Sequence, residues 1–271
     1  MHYRCQSWPN GQSPRVSPLR GCKLSLLTLC ADELVVYLLA CRTAYNEFVK
    51  YHNFRHVVDV LQALFHFLVR IGTLPPYPSK ETTSLPVSPK SPIADLLQPV
   101  DALTLLISAI GHDVGHPGVN NAFLVALNAP LAQLYNDRSV LESFHCAAYS
   151  QILRRYWPKA FSDATLRKLM INNILATDMG LHFKYMSDLG SLQQKIAHDK
   201  GVTDGWNGKM KEDQKDLACG VLIKCADICN VVSCPPSRCG VTTFNMTVRL
   251  ASSQLPPNGP ISLPTSSVIK A

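Results

Sequence analysis

The stretch VVDVLQALFHFLVRI at residues 57–71 decides the fold class. Val57, Val58, Leu61, Leu64, Phe65, Leu68 and Ile71 follow the three-and-four spacing of a helix that buries one face. Outward from it, the same spacing predicts further helices at about 32–48, 101–111, 139–155, 164–178 and 213–232, and convincing two-residue alternation is scarce. The expectation is an all-α, compact multi-helix domain. No internal repeat or coiled-coil period competes with it.

Proline punctuates the chain around these segments. Leu74 to Pro99 hold seven prolines among Ser, Thr and Lys, which reads as an extended surface connection, because proline lacks a backbone donor and restricts the residue before it. Residues 100–227 contain only Pro117, Pro130 and Pro158. From Ser233 onward Pro, Ser, Thr and Gly take over, and Pro235 with Pro236 must end any helix that arrives there. The expected organisation is an atypical, poorly ordered segment over 1–30, a helical domain over 31–232 containing the connection 74–99, and an atypical tail over 233–271.

Composition excludes several classes. In 271 residues, 46% hydrophobic content is enough to bury a sizeable core, which argues against a disordered chain. No apolar run reaches the roughly 18 residues of a membrane span, since Leu24 to Cys41 is interrupted by Asp32 and Glu33. Met1 to Asn10 lack the marks of a secretory signal, so the expected location is cytoplasmic. The ten cysteines are then expected as free thiols. The cluster Cys219, Cys225, Cys229, Cys234 and Cys239 lacks the C-x-x-C pair of structural zinc sites. The net charge of +7 comes wholly from the ends: Arg4, Arg15, Arg20 and Lys23 on one side, Arg238, Arg249 and Lys270 on the other, with no acidic residue near them. The middle is charge-balanced, so neither a nucleic acid nor a membrane is an expected partner.

Three constellations carry chemistry. In YHNFRHVVD (51–59), His52 and His56 are four apart, so on a helix both rings share a face, suited to one metal ligand and one acid or base, or simply to a helix surface or cap. In GHDVGHPGVNN (111–121), His112 and Asp113 follow the apolar run Ala102 to Ile110. A carboxylate beside such a run is costly unless a cation or strong hydrogen bonds compensate it, and a neutral nitrogen next to an anionic oxygen suits a zinc and a bridge to a second ion. In LIKCADICN (222–230), Asp227 alone is either a satisfied core residue or an exposed one. Together, His56, His112, Asp113 and Asp227 give two imidazoles and two carboxylates, a set that suits Zn²⁺.

With VLESFH (140–145) and ATDM (176–179) between them, these motifs resemble, in order, those of the class I 3′,5′-cyclic-nucleotide phosphodiesterases, members of the HD-type metal phosphohydrolases. The resemblance runs from about Ala40 to Val231. It implies that His56, His112, Asp113 and Asp227 hold a tight Zn²⁺, with Asp113 shared with a second ion, Mg²⁺ or Mn²⁺. It implies that His116, Glu142 and Thr177 orient the waters of that second ion, with Asp178 and His145 as weaker additions. His145 is equally readable as a hydrogen-bonded core histidine, and His66, outside every motif, only as that. The implied reaction is hydrolysis of the 3′ bond of a small-molecule cyclic nucleotide, cAMP more than cGMP, to the 5′-monophosphate. His52 is the implied general acid, and Asp227 a second proton acceptor.

Beyond Asp227 the likeness fades. The family's nucleotide-pocket glutamine and aromatic have no counterpart, since Gln254 and Phe244 lie outside any helical pattern, so the substrate-binding residues stay unknown. Met1 to Leu29 lack the helices expected ahead of the first motif. The expectation is a truncated, alternatively spliced or mispredicted form, incomplete at both ends. Two other readings stand beside it: a catalytically impaired pseudoenzyme or regulatory binding protein, and another HD-type phosphohydrolase. The latter leaves the YHN and ATDM motifs unexplained.

Overall fold

Several helices begin where the sequence offers an acceptor for their first free amides. In the computed structural model, which describes residues 27–75, 91–199, 201, 203 and 205–229, α1 (Ala31–Thr43) starts with Cys30 and Glu33 capping each other reciprocally. Asn53 caps α2 (Phe54–Arg70), and Ser91 caps α3 (Pro92–Leu96). Proline fills the first position of α4 (Pro99–Gly111), where its missing amide costs nothing. Then follow α5 (Asn121–Ala126), α6 (Pro130–Leu134), α7 (Val140–Tyr156), α8 (Pro158–Ser162) and α9 (Ala164–Ala176), which Asp163 caps. A short 3-10 turn at Met179–Leu181 leads into α10 (His182–His198) and α11 (Gly208–Cys229). No strand occurs among the described residues, and the all-α expectation holds.

α4 lies between two cores. Its Ala102, Leu105 and Ala109 pack with Val60, Leu64 and Leu68 of α2 and with Leu222 and Ile223 of α11. Its Ile107 and Ile110 turn the other way, towards Tyr37, Tyr149, Leu153, Met170 and Ile174. Each such fully buried aliphatic chain contributes about 1.5–3 kcal/mol, so α4 is fixed by packing from both sides. The polar groups on it are satisfied locally: Thr104 Oγ1 donates to Val100 O and Ser108 Oγ to Thr104 O, both at 2.7 Å.

Tyrosines fasten the last turn of α4 to its neighbours. Tyr149 of α7 donates from its hydroxyl to Ile107 O and Tyr45 donates to Ile110 O, each at 2.8 Å, and Tyr37 of α1 shares a short hydrogen bond with Tyr149. A helix leaves its last four carbonyls without intrahelical partners, and Ile110 O is one of them. Gly111 lets the Tyr149 ring lie flat against this turn, since a Cβ there would sit 2.1 Å from Tyr149 Cδ1.

Several expectations shift. α1 stops at Thr43 rather than running to 48, because the Asn46 side chain takes the Phe48 amide at 3.0 Å and the Ala44 carbonyl accepts from Gly115 N–H at 3.0 Å. On α2 the buried face is wider than predicted: Val60 and Phe67 are buried, while Val58, Leu61 and Phe65 are half-buried, because cores flank the helix on two sides. Residues 91–99 of the proline-rich connection are not extended but hold α3, with Ile93, Ala94, Leu96 and Leu97 buried. α10 was not anticipated, and α11 starts five residues before the expected 213. Residues 1–26, 76–90 and 230–271 lie outside the described residues, with the expected tail, most of the connection, Gln254 and Phe244.

The six described cysteines are free thiols. Among the described residues no helix is long and apolar enough to cross a membrane.

Candidate metal centre

Three helix ends deliver the four predicted residues to one place. His56 comes from the first turn of α2, His112 and Asp113 follow the last turn of α4, and Asp227 sits near the end of the described part of α11. His56 Nε2 lies 2.9 Å from Asp227 Oδ1 and 3.5 Å from Asp113 Oδ2. His112 Nε2 lies 3.4 Å from both Asp113 Oδ2 and Asp227 Oδ1. A cation with bonds of about 2.0–2.2 Å in a tetrahedral shell sets its donors about 3.3–3.5 Å apart, and three of these four separations have that spacing. His56, His112 and Asp227 are therefore close enough to share one ion, with Asp113 Oδ2 within 3.5 Å of both imidazoles.

His112 gives the fit its second support. Its Nδ1 meets the Ala109 carbonyl at 2.9 Å, and a carbonyl only accepts, so Nδ1 carries the proton and Nε2 presents its lone pair. That buried Nε2 has no hydrogen-bond partner although two carboxylates are near it. A buried donor or acceptor left in this way is costly, and a cation between the four donors would satisfy it.

Asp113 also faces a second group. His52 Nδ1 lies 2.9 Å from Asp113 Oδ2, and the donor atoms of His52, Asp113 and His116 lie within 4.8 Å of one another. His52 is not on the face of a helix with His56, as the spacing suggested. It precedes α2, with Asn53 as the cap between them, and its ring stacks on that of His116 at 4.0 Å. His116 Nδ1 accepts the Gly118 amide at 2.9 Å, so its neutral ring holds the proton on Nε2, which is then a donor. His145 Nδ1 donates to Val114 O at 2.8 Å, and its Nε2 is 3.8 Å from Asp113 Oδ1. It is both a hydrogen-bonded interior histidine and part of the wall around Asp113.

The charges follow from this crowding. Burial opposes ionisation of Asp113, but His112, His52 and His145 outweigh it and hold the carboxyl well below its usual range. Asp227 is likewise held down at about 2 against burial by the nearby His112 and by its contact with His56. Burial disfavours charge on His112, yet Asp113 and Asp227 push it up to about 9: the two carboxylates call for a positive charge at Nε2, which a cation there would supply in place of a proton. His116 and His145 are pushed down to about 4, mainly by burial. Glu142 is raised by burial and accepts from Asn121 Nδ2 at 3.0 Å. Thr177 is buried and donates to Ile174 O at 2.8 Å.

His66, expected in the core, is exposed on α2, ten residues beyond His56 or about 15 Å along the axis. A cleft of about 870 Å³ opens between the segment that follows α1 and the first turns of α2, lined in part by Arg42, Tyr45, Phe48, Arg55 and Asp59, and none of the four donors lines it. Reading the sequence missed Tyr45, Tyr149, Asn121 and Lys224, all of which touch the centre's supports. Only Asn121 and Lys224 stood inside quoted motifs.

Four donors of this kind on an all-α frame make a candidate metal centre. Residues 51–237 match the family described as 3'5'-cyclic nucleotide phosphodiesterase, and the chain belongs to that family. It is 33% identical over 205 residues to 3',5'-cyclic-nucleotide phosphodiesterase 2 of Saccharomyces cerevisiae, covering 75% of this chain and 31% of that protein. It is 32% identical over 216 residues to 3',5'-cyclic-AMP phosphodiesterase 4C of Mus musculus, covering 76% of this chain and 28% of that one. The crystal structure of yeast caPDE2 superposes with a TM-score of 0.60 at 38% identity, over 75% of this chain and 40% of that chain. The chain thus spans about a third of the length of these curated relatives.

Proposed function

We propose that this chain hydrolyses the 3′ phosphodiester bond of a cyclic nucleotide, cAMP in preference to cGMP, to the 5′-monophosphate, using a tight Zn²⁺ and a second Mg²⁺ or Mn²⁺. The observation that carries this is the meeting of His56, His112, Asp113 and Asp227 within 3.5 Å contacts on the scaffold of a phosphodiesterase family. These four would hold the tight ion, and Asp113 Oδ2, which also faces His52, would be shared with the second. The family match over 51–237 supports reading 31–232 as one domain. The preference for cAMP is supported by the relative named as a cyclic-AMP phosphodiesterase.

The ions, when bound, neutralise phosphate oxygens and make a water acidic enough to attack at neutral pH. The chain's own groups do the rest. Asp113 stays ionised throughout, because four histidines face it. His52 is oriented by its Nδ1 contact to Asp113, which leaves Nε2–H to donate to the departing 3′-oxygen as its bond to phosphorus breaks. Asp227 accepts the proton of the attacking water. His116, fixed as an Nε2 donor, together with Glu142 and Thr177, orients water around the second ion.

The test is turnover of cAMP and cGMP by the purified chain with Zn²⁺ and Mg²⁺, beside metal analysis. His52→Ala is expected to lower kcat by about 10²–10⁴-fold while zinc stays near one equivalent. Zinc retained with no turnover by the unmodified chain would reassign it to a metal-retaining binding protein.

A further inference from the structure

Among the described residues Lys224 is the most deeply buried lysine. It is 1% exposed on α11, one turn before Asp227, and an ammonium is rarely buried this deeply. Its Nζ donates to Ala176 O at 3.0 Å and Asp178 O at 2.9 Å, with Met179 Sδ at 3.8 Å. The Tyr185 ring lies 5.9 Å away, admitted by Gly220 one turn earlier. A lysine at a helix C-terminus satisfies carbonyls that the helix leaves free, but such a lysine is ordinarily at the surface. This one clamps a single turn from inside.

That turn, residues 177–179, is tied again on its outer side. Asp178 Oδ2 accepts from Ser139 Oγ and Asp178 Oδ1 from Gly180 N–H, both at 2.7 Å. Ser139, at φ +41°, immediately precedes α7, and one turn along α7 Glu142 accepts from Asn121, whose own Oδ1 accepts from Leu141 N–H at 2.9 Å. Hydrogen bonds thus run from α11 through the turn after α9 to α7 and α5. The belt carries Thr177 and Glu142 but none of the histidines among the four donors.

We propose that Lys224 is a positioning residue that locks the Thr177–Met179 turn to the helix bearing Asp227, and so sets the outer wall of the second cation's site without shaping the four-donor cage. This rests on the two-ion reading given above. An aliphatic chain would fill the same space, so what lysine adds is two directed donors on one turn.

The experiment measures Zn²⁺ content and, separately, Mn²⁺ affinity by electron paramagnetic resonance titration, on the full chain. Lys224→Met is expected to weaken Mn²⁺ binding by about 10–100-fold with zinc content unchanged. Mn²⁺ binding equal to the parent, or zinc and Mn²⁺ lost in parallel, overturns the proposal, because a merely structural lysine gives one or the other. If Lys224→Met does not fold by circular dichroism, Ser139→Ala removes the turn's outer tether instead. It is expected to weaken Mn²⁺ by about threefold or more with zinc kept, and unchanged Mn²⁺ binding overturns the proposal. A parent chain that takes up zinc but no Mn²⁺ defeats the two-ion reading itself, and the parent titration identifies that case.

Discussion

Two glycines each let a tyrosine lie against a helix that leads to a carboxylate of the centre, and what stands behind the two rings differs. At the α4 end, a Cβ on Gly111 would lie 2.1 Å from Cδ1 and 2.3 Å from Cγ of Tyr149, at the root of a ring that is fully buried and held by its hydroxyl. At the α11 end, a Cβ on Gly220 would lie 2.6 Å from Cε1 and 3.1 Å from Oη of Tyr185, the far end of a half-buried ring. The first contact has no slack; at the second the tip of the Tyr185 ring can swing away, leaving only the Ala176 Cβ at 3.1 Å to shift by a few tenths of an ångström. The carboxylates divide the same way, since Asp113 faces His52, His56, His112 and His145 whereas Asp227 faces His56 and His112. One end of the centre is a fixed floor and the other a wall that closes on it.

The sharpest break of this contrast is at the carboxylates. Asp113→Ala is expected to abolish uptake of both ions, with tight-site affinity falling on the order of 10³-fold, whereas Asp227→Ala weakens only the tight site; competitive chelator titration reads both. Equal effects on the two sites would erase the distinction. Next comes Gly111→Ala, expected to cost about 3 kcal/mol in urea unfolding because the Tyr149 ring has nowhere to go. Tyr149→Phe keeps the ring and removes the hydroxyl, leaving Ile107 O and the Tyr37 hydroxyl short of a partner, so a loss of about 1.5 kcal/mol is expected by the same measurement. Smallest is Gly220→Ala, where the helix-propensity gain of about 1 kcal/mol offsets the shift asked of Tyr185 and the net change stays within about 1 kcal/mol. A Gly220→Ala cost as large as that of Gly111→Ala would mean that both ends are equally rigid.

What the sequence disclosed follows from which signals are local. α2, α4, α7 and α9 bury enough of their surface to leave a periodic apolar trace, and His112-Asp113 stood out because a charge next to such a trace needs a reason. α10 left none: over 17 residues only Leu189 and Leu192 are buried, so its pattern resembles a polar loop. The helices of five or six residues, α3, α5, α6 and α8, are too short to show a period at all. Lys224 was quoted inside a motif yet passed over, because the carbonyls it binds lie 46 and 48 positions earlier. The Tyr149 contact with Gly111 likewise depends on two helices meeting, which composition does not reveal.

The His56–Asp227 contact joins positions 171 residues apart. The donor set is therefore complete only once the last described helix has docked, and a partly assembled chain lacks the site. An ion held there acts as a clasp on a very long loop, and its binding energy counts towards keeping the chain folded. Starving such a protein of metal would loosen its architecture as well as silence its chemistry.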